Sequence, residues 1–139
     1  MDSLQINSGV IELCINDDAS RVIRFNPADV LFAERFYNLI GDFQSTLKDY
    51  QSKILELEKI TETDENDVPI NAGERLEVIK DASEYIRKQI DTLFGAGTSQ
   101  TVFGDSLSLD AFQQFFEGIT PYIQKARASK VAKYTKKVK

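Results

Sequence analysis

Histidine is absent from the sequence, and cysteine occurs once, at position 14. Without histidine the chain lacks the most common general base, the most common zinc ligand and any Ser-His or Cys-His nucleophile. A single cysteine forms no internal disulfide, and we expect Cys14, within an apolar run, to be a small buried side chain, with a reactive thiol as the alternative. The missing residue types exclude most hydrolase mechanisms, and we expect a protein that is not an enzyme and has no catalytic residues.

Long apolar runs are also absent. No run approaches the roughly 18 residues that a transmembrane helix needs, and no basic segment near the start leads into an apolar one, as in a secretory signal. The acidic clusters at residues 17–18 and 64–67 lack calcium-loop spacing, and the glycines of residues 95–99 are not followed by the lysine of a phosphate-binding loop. We therefore expect a cytoplasmic protein without cofactor, metal or membrane contact.

Charge is distributed unevenly along the chain, whose net charge is −5. No acidic residue follows Glu117, whereas seven lysines and arginines do, so the rest of the chain carries a net charge of −12. This basic end has three interpretations: a solvated terminus, a contact with the acidic body of a neighbouring copy, or a contact with a phosphate backbone. The acidic body argues against a dedicated nucleic-acid-binding protein, because most of its surface repels phosphate.

Residue patterning predicts a mainly α protein that forms one domain over residues 1–139. Apolar, β-branched runs at residues 10–15 and 21–25, with a loop at 16–20, predict an N-terminal β-hairpin within residues 1–26. Asn26 as N-cap and Pro27 as first residue suit the start of a helix. The segments predicted after the hairpin are a long helix at 27–60, an acidic linker at 61–71, a second helix at 72–94, a glycine-rich connector at 95–107 and a third helix with the basic tail at 108–134.

The two long predicted helices each carry a narrow apolar seam, in which side chains recur at alternating intervals of three and four residues. The first seam runs from Phe36 to Leu57, and the second runs from Leu76 to Leu93. Matching seams joined by a short connector favour a long antiparallel helical hairpin. In the third, aromatic-rich helix, Gly118 and Pro121 are expected to kink or interrupt the helical pattern.

The glycine-rich connector is the stretch that looks most like a family signature. Residues 94–105 read FGAGTSQTVFGD, and they are followed by the aromatic run FQQFF at residues 112–116, by Pro121 and by the lysine-rich end. Across residues 72–139 the chain resembles the tail assembly chaperones of long-tailed (siphovirus-like) bacteriophages and prophages. The resemblance implies a non-catalytic protein of the host bacterial cytoplasm that binds the tape measure protein while the tail tube assembles, with the major tail protein as a further candidate partner.

Partner binding requires apolar surface that the fold leaves uncovered. The seams of the two long helices are one source of such surface, and the aromatic run of the third helix is another, although aromatic residues at this spacing also suit a core. We expect a homo-oligomer, because a lone hairpin and long seams leave apolar groups to cover. The candidate partner-binding residues are Phe43, Leu47, Tyr50, Ile54, Ile86, Ile90, Phe112, Phe115 and Phe116.

Two other functions are compatible with the same pattern. One is a structural or scaffolding component of a phage particle, which would stay in the virion instead of leaving before maturation. The other is a small nucleic-acid-binding regulator that uses the basic tail from Lys125 onward.

Overall fold

The computed structural model describes residues 1–138 of the chain, with side chains described as far as residue 129. Within this range no helix is long and apolar enough to cross a bilayer. The expected mainly α fold with an N-terminal β-hairpin is confirmed. The elements in chain order are β1 (Ile11–Ile15), β2 (Asp18–Phe25), α1 (Val30–Glu58), α2 (Ala72–Phe94), α3 (Thr98–Phe103) and α4 (Leu109–Val138).

The β-hairpin has a tighter turn than the five-residue loop that the sequence pattern predicts. Asn16 and Asp17 alone connect the strands, and both adopt positive φ, at 53° and 60°. Such a two-residue turn matches the twist of paired strands, and asparagine and aspartate tolerate its left-handed backbone. Strand β2 therefore begins at Asp18, and an irregularity in register between Cys14 and Ile15 accommodates the turn.

The side chains of β1 alternate between the core and solvent. Leu13 and Ile15 pack against the core, whereas Glu12 and Cys14 are exposed. The expectation that Cys14 is buried is therefore wrong, because the two-residue period of a strand places it on the outer face. On that outer face Glu12 forms an ion pair of 2.8 Å with Arg24.

Helix α1 begins three residues later than the pattern predicts, because Asp29, and not Asn26, is its N-cap. The carboxylate of Asp29 accepts a hydrogen bond of 2.9 Å from the backbone N–H of Leu31. Asn26 instead accepts a hydrogen bond from the N–H of Ala28 and donates one to the carbonyl of Ser8. The asparagine thus fastens the N-terminal segment to the entry of the helix.

Helices α1 and α2 pair as the expected long antiparallel hairpin. Their connection at residues 59–71 is held against the end of α1, because the side chains of Asn71 and Arg75 both donate to the carbonyl of Leu57. Arg75 also donates to the carbonyl of Ile60, 3.2 Å away. These bonds satisfy carbonyl groups that a helix C-terminus leaves without intrahelical partners.

Helix α4 lies against this hairpin and runs antiparallel to α1. Near its start, the ring of Phe112 meets Phe43, and further along, Arg127 donates a hydrogen bond of 3.1 Å to the carbonyl of Ala28, just before α1 begins. Of the two outcomes expected at Gly118 and Pro121, a kink or an interruption, the interruption is wrong, because α4 continues past both. Buried side chains on both sides of the proline anchor the helix: the core contains Phe112, Phe115, Phe116, Ile119 and Ile123 from α4.

The glycine-rich connector contains a short helix, α3, that the sequence pattern does not predict. Gly97 precedes it and Gly104 follows it, both at positive φ. The carboxylate of Asp91 accepts hydrogen bonds from both the N–H and the hydroxyl of Ser99 in its first turn. At its other end, Arg21 of β2 donates to the carbonyls of Thr101 and Val102. Tertiary contacts from α2 and β2 therefore hold this helix in place.

Candidate partner-binding site

The structure divides the nine candidate partner-binding residues into two groups. Six of them are buried side chains of the core and offer no surface to a partner: Phe43, Ile86, Ile90, Phe112, Phe115 and Phe116. The other three, Leu47, Tyr50 and Ile54, lie on the second half of α1 and are half-buried. Only these three are placed where a partner can reach them.

The aromatic run of α4 is a core element. The rings of Phe112 and Phe116 contact Phe43 of α1, with centroids 6.5 and 5.2 Å apart. Phe115 contacts Phe94 at the end of α2 and Phe103 at the end of α3, with centroids 5.2 and 5.7 Å apart. Most of these pairs meet edge to face, which is a favourable geometry for aromatic rings. Of the two roles that the sequence leaves open for this run, the structure shows core packing.

The half-buried group lies in a part of the molecule that has two helices instead of three. Helix α4 begins at Leu109, and its first core residue, Phe112, lies beside Phe43, so α4 leaves the second half of α1 uncovered. Residues 44–58 of α1 extend about 22 Å beyond this point, at about 1.5 Å per residue. We call the two-helix extension, residues 44–83, the arm.

The groove that holds α4 continues onto the arm along α1. Phe36 contacts Phe116 of α4, with centroids 6.0 Å apart. Ile54 follows Phe36 by 18 residues, which is about five turns of 3.6 residues, so the two side chains project from the same side of α1. Leu47 lies between them on the same side and packs against the edge of the core.

Helix α2 lines the other wall of this groove in the same way. Phe94 contacts Phe115 of α4, and Leu76 precedes Phe94 by 18 residues, about five turns, so it projects from the same side. Leu76 is 66% exposed, which is unusual for a leucine in a seam position. Ile79 lies one turn further along and is half-buried. Helical spacing thus places Leu47, Ile54, Leu76 and Ile79 on one side of the arm, and we call this apolar surface the arm groove.

Leu76 and Ile79 are functional candidates that the sequence pattern does not select. Their spacing places them in the seam of α2, where they are expected to pack against α1. Leu76 is exposed because α4 begins too late in the chain to cover it. How far α4 reaches along the hairpin is a tertiary property that has no local sequence signal.

At the base of the arm a hydrogen bond between two side chains joins α1 to α2. The hydroxyl of Tyr85 on α2 donates to Asp42 on α1 over 3.0 Å. This bond raises the pKa of Tyr85 above its ordinary value, because the carboxylate stabilises the protonated phenol. A shallow depression further out is lined by polar and charged residues together with Tyr50 and Val78.

The tip of the arm is strongly acidic. Residues 56–77 contain eight acidic and two basic residues, a net charge of −6. Both basic residues have partners within the tip: Lys59 pairs with Glu56 at 2.9 Å, and Arg75 donates to the end of α1. The arm groove thus combines an apolar floor with an acidic end, which suits a basic amphipathic helix.

The described residues include no cluster of three or more histidine, cysteine, aspartate or glutamate side chains placed to hold a metal ion. Polar contacts near the connector are structural in kind: Arg87 donates to the carbonyl of Ser106 and to the side chain of Gln100, which joins α2 to α3 and to the end of the connector.

Comparisons with known proteins identify a family for this chain. No curated protein and no solved structure matches it. A family profile matches residues 20–139, a range that begins in β2 and includes the arm, the connector and α4. The chain belongs to this family, which is described as a family of unknown function, DUF6673.

Proposed function

We propose that this protein is a non-catalytic phage tail assembly chaperone that binds the tape measure protein in the host cytoplasm and assists assembly of the tail tube. Two lines of support come from the sequence. The connector at residues 94–105 and the aromatic run at residues 112–116 resemble those of tail assembly chaperones. The absence of histidine argues against most hydrolytic mechanisms.

The arm groove is the observation that carries the proposal. On the arm Leu76 is exposed and Ile54 is half-buried, whereas nearer the core α4 covers the same side of the hairpin, with Phe112 and Phe116 beside Phe43. An amphipathic helix of a partner would cover this side of the arm in the way that α4 covers it nearer the core.

A long helical client fits this groove better than a compact one. A tape measure protein is a long helical chain whose apolar seams promote aggregation, so a chaperone needs many weak and repeated contacts along it. Each arm covers a client segment of about 22 Å, the length of about 15 helical residues. Many copies bound in succession would shield the seam of a client many times longer than one arm.

Co-expression with the tape measure protein encoded beside this chain tests the proposal. We expect the tape measure protein to be soluble and to copurify with the wild-type chain. Leu76→Glu places a charge in the arm groove and should lower the soluble, copurifying fraction at least several-fold. Leu55→Glu is the matched control, because Leu55 is 64% exposed and lies about a quarter turn from Ile54, outside the groove.

Several results would contradict this proposal. A tape measure protein that is no more soluble with the wild-type chain than without it rejects the chaperone function. Equal losses for Leu76→Glu and Leu55→Glu reject the arm groove as the binding site. A stoichiometric amount of the chain in purified particles, measured by mass spectrometry, indicates a structural component of the virion instead.

A further inference from the structure

We infer that the N-terminal segment of the chain closes over the β-hairpin as a third strand. This segment, residues 2–7, would pair with the free edge of β1 and cover a cavity beneath the hairpin. In the structure it lies outside the sheet, and its residues are exposed. We call residues 2–7 the strap. Closure of the strap involves one chain alone and does not depend on any client.

Strand β1 has a free edge. In the part of the chain that the structure describes, the sheet has two strands, and no backbone group outside β2 forms a hydrogen bond with β1. Ile23 of β2 is buried, whereas Leu13, its cross-strand partner on β1, is only half-buried. Phe25 and its partner Ile11 show the same difference. The inner face of the sheet is therefore incompletely covered on the side of β1.

A cavity of about 350 Å³ lies between the β-hairpin, the end of α3 and α4. Four consecutive residues, 13–16, line it from β1 and its turn. Because successive side chains of a strand point to opposite faces, consecutive lining residues indicate that the backbone edge of β1 borders the cavity. On α4 the lining includes one helical stripe, with intervals of three and four residues: Ala111, Gln114, Gly118 and Tyr122. The cavity is therefore a slot between the free edge of β1 and one side of α4.

The lining of this cavity suits apolar side chains. None of its lining residues within the described range is charged, whereas four other depressions there each have at least one charged residue in their lining. Gly118 leaves space in the slot, because a Cβ added there would meet no heavy atom within 4 Å. The volume equals that of about 12 water molecules at about 30 Å³ each, which is room for two aliphatic side chains.

The strap has the residue pattern of a strand with one apolar face. Leu4 and Ile6 alternate with the polar residues Ser3, Gln5 and Asn7. Leu4 is 83% exposed and Ile6 is 78% exposed, although both are large apolar side chains. The six residues of the strap span about 20 Å when extended, enough to cover the five residues of β1. The chain therefore supplies, directly before β1, a segment whose pattern and length match the free edge.

The link between the strap and β1 is suited to a tight turn. Gly9 has φ of +87°, and a two-residue turn requires positive φ at one or both of its central positions. The side chain of Asn7 accepts a hydrogen bond of 3.1 Å from the N–H of Gly9, as asparagine does at the start of a turn. Asn26 donates to the carbonyl of Ser8 and so holds the turn residues beside the β-hairpin.

A turn with Ser8 and Gly9 as its two central residues fixes the register of the third strand. Leu4 then lies opposite Leu13, and Ile6 lies one pair nearer the turn. Directly opposite residues of antiparallel strands share one face of the sheet. Because Leu13 packs against the core, Leu4 and Ile6 would both project to the inner side, where the cavity lies. The polar residues of the strap would face solvent.

Closure of the strap would protect the hairpin. A free strand edge pairs readily with strands of other chains. The closed strap would satisfy the backbone groups of this edge and bury Leu4 and Ile6 in the slot. An extended segment of a partner with the same alternation of apolar and polar residues would bind at β1 only by displacing the strap.

Disulfide trapping in the full-length chain tests this inference, because Cys14 is the one cysteine of the sequence. Cys14 is exposed on the outer face of β1, and the register places Ser3 directly opposite it. Opposite residues of antiparallel strands have Cα atoms about 4.5–5.5 Å apart, a separation that a disulfide spans. Ser3→Cys should therefore form an intramolecular disulfide under mild oxidation. Trapping detects the closed conformation even where it is the minor one.

Two neighbouring positions provide matched controls that keep both apolar side chains of the strap. Asp2→Cys places the thiol on the inner face, and Gln5→Cys places it two residues further along the outer face. A strap without register would give similar rates at the three positions, because the loops to Cys14 differ little in length. Pairing in register predicts a maximum at position 3, at least about tenfold above both controls. Non-reducing electrophoresis and mass spectrometry measure the product.

A second set of variants tests whether the apolar side chains drive closure. In the Ser3→Cys chain, replacement of Leu4 and Ile6 by serine should lower the rate of disulfide formation about tenfold or more, because the strap then buries little apolar surface. Gln5→Ser in the same chain changes only the outer face and should leave the rate within about twofold.

The outcomes of these measurements are distinct. Equal rates at positions 2, 3 and 5 overturn the inference, and so does an unchanged rate after Leu4 and Ile6 are replaced. A disulfide-linked dimer as the main product also overturns it, because the strap then pairs with another copy. None of these measurements involves the tape measure protein, so closure of the strap stands or fails separately from the chaperone function.

Discussion

Phe43 of α1 and Phe112 of α4 meet edge to face, with ring centroids 6.5 Å apart and planes at 89°. This pair marks the boundary between two parts of one apolar stripe. Before it, Phe36 is fully buried beneath α4, and after it, Leu47 is only half-buried. The same helical stripe thus builds a core on one side of the pair and a partly exposed apolar surface on the other.

The hydrogen bond between Tyr85 and Asp42 predicts a measurable change in a tyrosine pKa. The bond raises the pKa of Tyr85, because the nearby carboxylate favours the protonated phenol. Since the pKa is higher in the folded state, the bond contributes to stability below pH about 10 and the contribution is lost as pH rises through the raised value. Asp42→Asn should therefore lower the pKa of Tyr85 towards its ordinary value.

Ultraviolet absorbance of tyrosinate during a pH titration checks this prediction. Tyr85→Phe removes the titration of this residue, so the difference from the wild type isolates it from the other four tyrosines. An unchanged Tyr85 pKa in the Asp42→Asn variant would contradict the assigned cause.

The unpaired hydroxyl of Ser83 predicts that a substitution at this position stabilises the fold. Its side chain is fully buried between the helices, and its hydroxyl oxygen has no hydrogen-bond partner among the described residues. An unpaired buried hydroxyl costs about 1–3 kcal/mol, so Ser83→Ala should raise the free energy of unfolding by about that amount. Urea denaturation measures the change. Ser45→Ala, at an exposed position of α1, controls for the better helix propensity of alanine, and an equal gain there would contradict the explanation.

The long elements are predictable from the sequence because their signals are local. Apolar side chains at intervals of three and four residues define α1 and α2, and the second predicted helix, residues 72–94, coincides with α2. Helix α3 has no comparable signal. It has six residues, and its ends are held by Asp91 of α2 and Arg21 of β2, which are distant in sequence. A short helix of this kind depends on tertiary contacts that sequence periodicity does not reveal.

The candidate site is only partly predictable for a related reason. Seam spacing shows that Phe43 and Ile54 share one stripe of α1, but it does not show how far along that stripe a third helix extends. The start of α4 decides that Phe43 is buried and that Ile54 is accessible. Seam spacing also places Leu76 against α1, although its side chain is 66% exposed.

Two glycines predict opposite responses to the same substitution. Gly118 lies inside α4, and a Cβ added there would meet no heavy atom within 4 Å. Gly118→Ala should therefore raise the free energy of unfolding by about 0.5–1 kcal/mol, because alanine loses less backbone entropy. Gly97, before α3, has φ of +87°. Gly97→Ala should lower stability by about 1–2 kcal/mol, since that conformation is strained for a residue with a Cβ.

Thermal denaturation of the two variants checks this pair of predictions. A melting temperature that changes in the same direction for both would show that backbone conformation does not determine the response. A loss of stability in Gly118→Ala alone would show that the helix packs more closely at this position than the structure indicates.

The contacts of Arg21 predict that the attachment of the β-hairpin to the connector depends on this one side chain. Its guanidinium donates to the carbonyls of Thr101 and Val102, at the end of α3, from a partly buried position on β2. Hydrogen bonds from a charged donor contribute about 1.5–3 kcal/mol, so Arg21→Ala should lower the free energy of unfolding by about 2 kcal/mol. Arg21→Lys should recover only part of the loss, because an ammonium group does not reproduce the two-pronged contact.

Arg24 on the same strand is the matched control for Arg21. It pairs with Glu12 on the exposed face of the hairpin, and the two side chains are 70% and 56% exposed. An ion pair of this kind contributes about 0–1 kcal/mol because solvent screens it, so Arg24→Ala should change stability far less than Arg21→Ala. Chemical denaturation gives both values. Equal losses would show that arginine at either position stabilises the strand itself. A larger loss for Arg21→Ala shows that the contact with α3 fastens the β-hairpin to the helices.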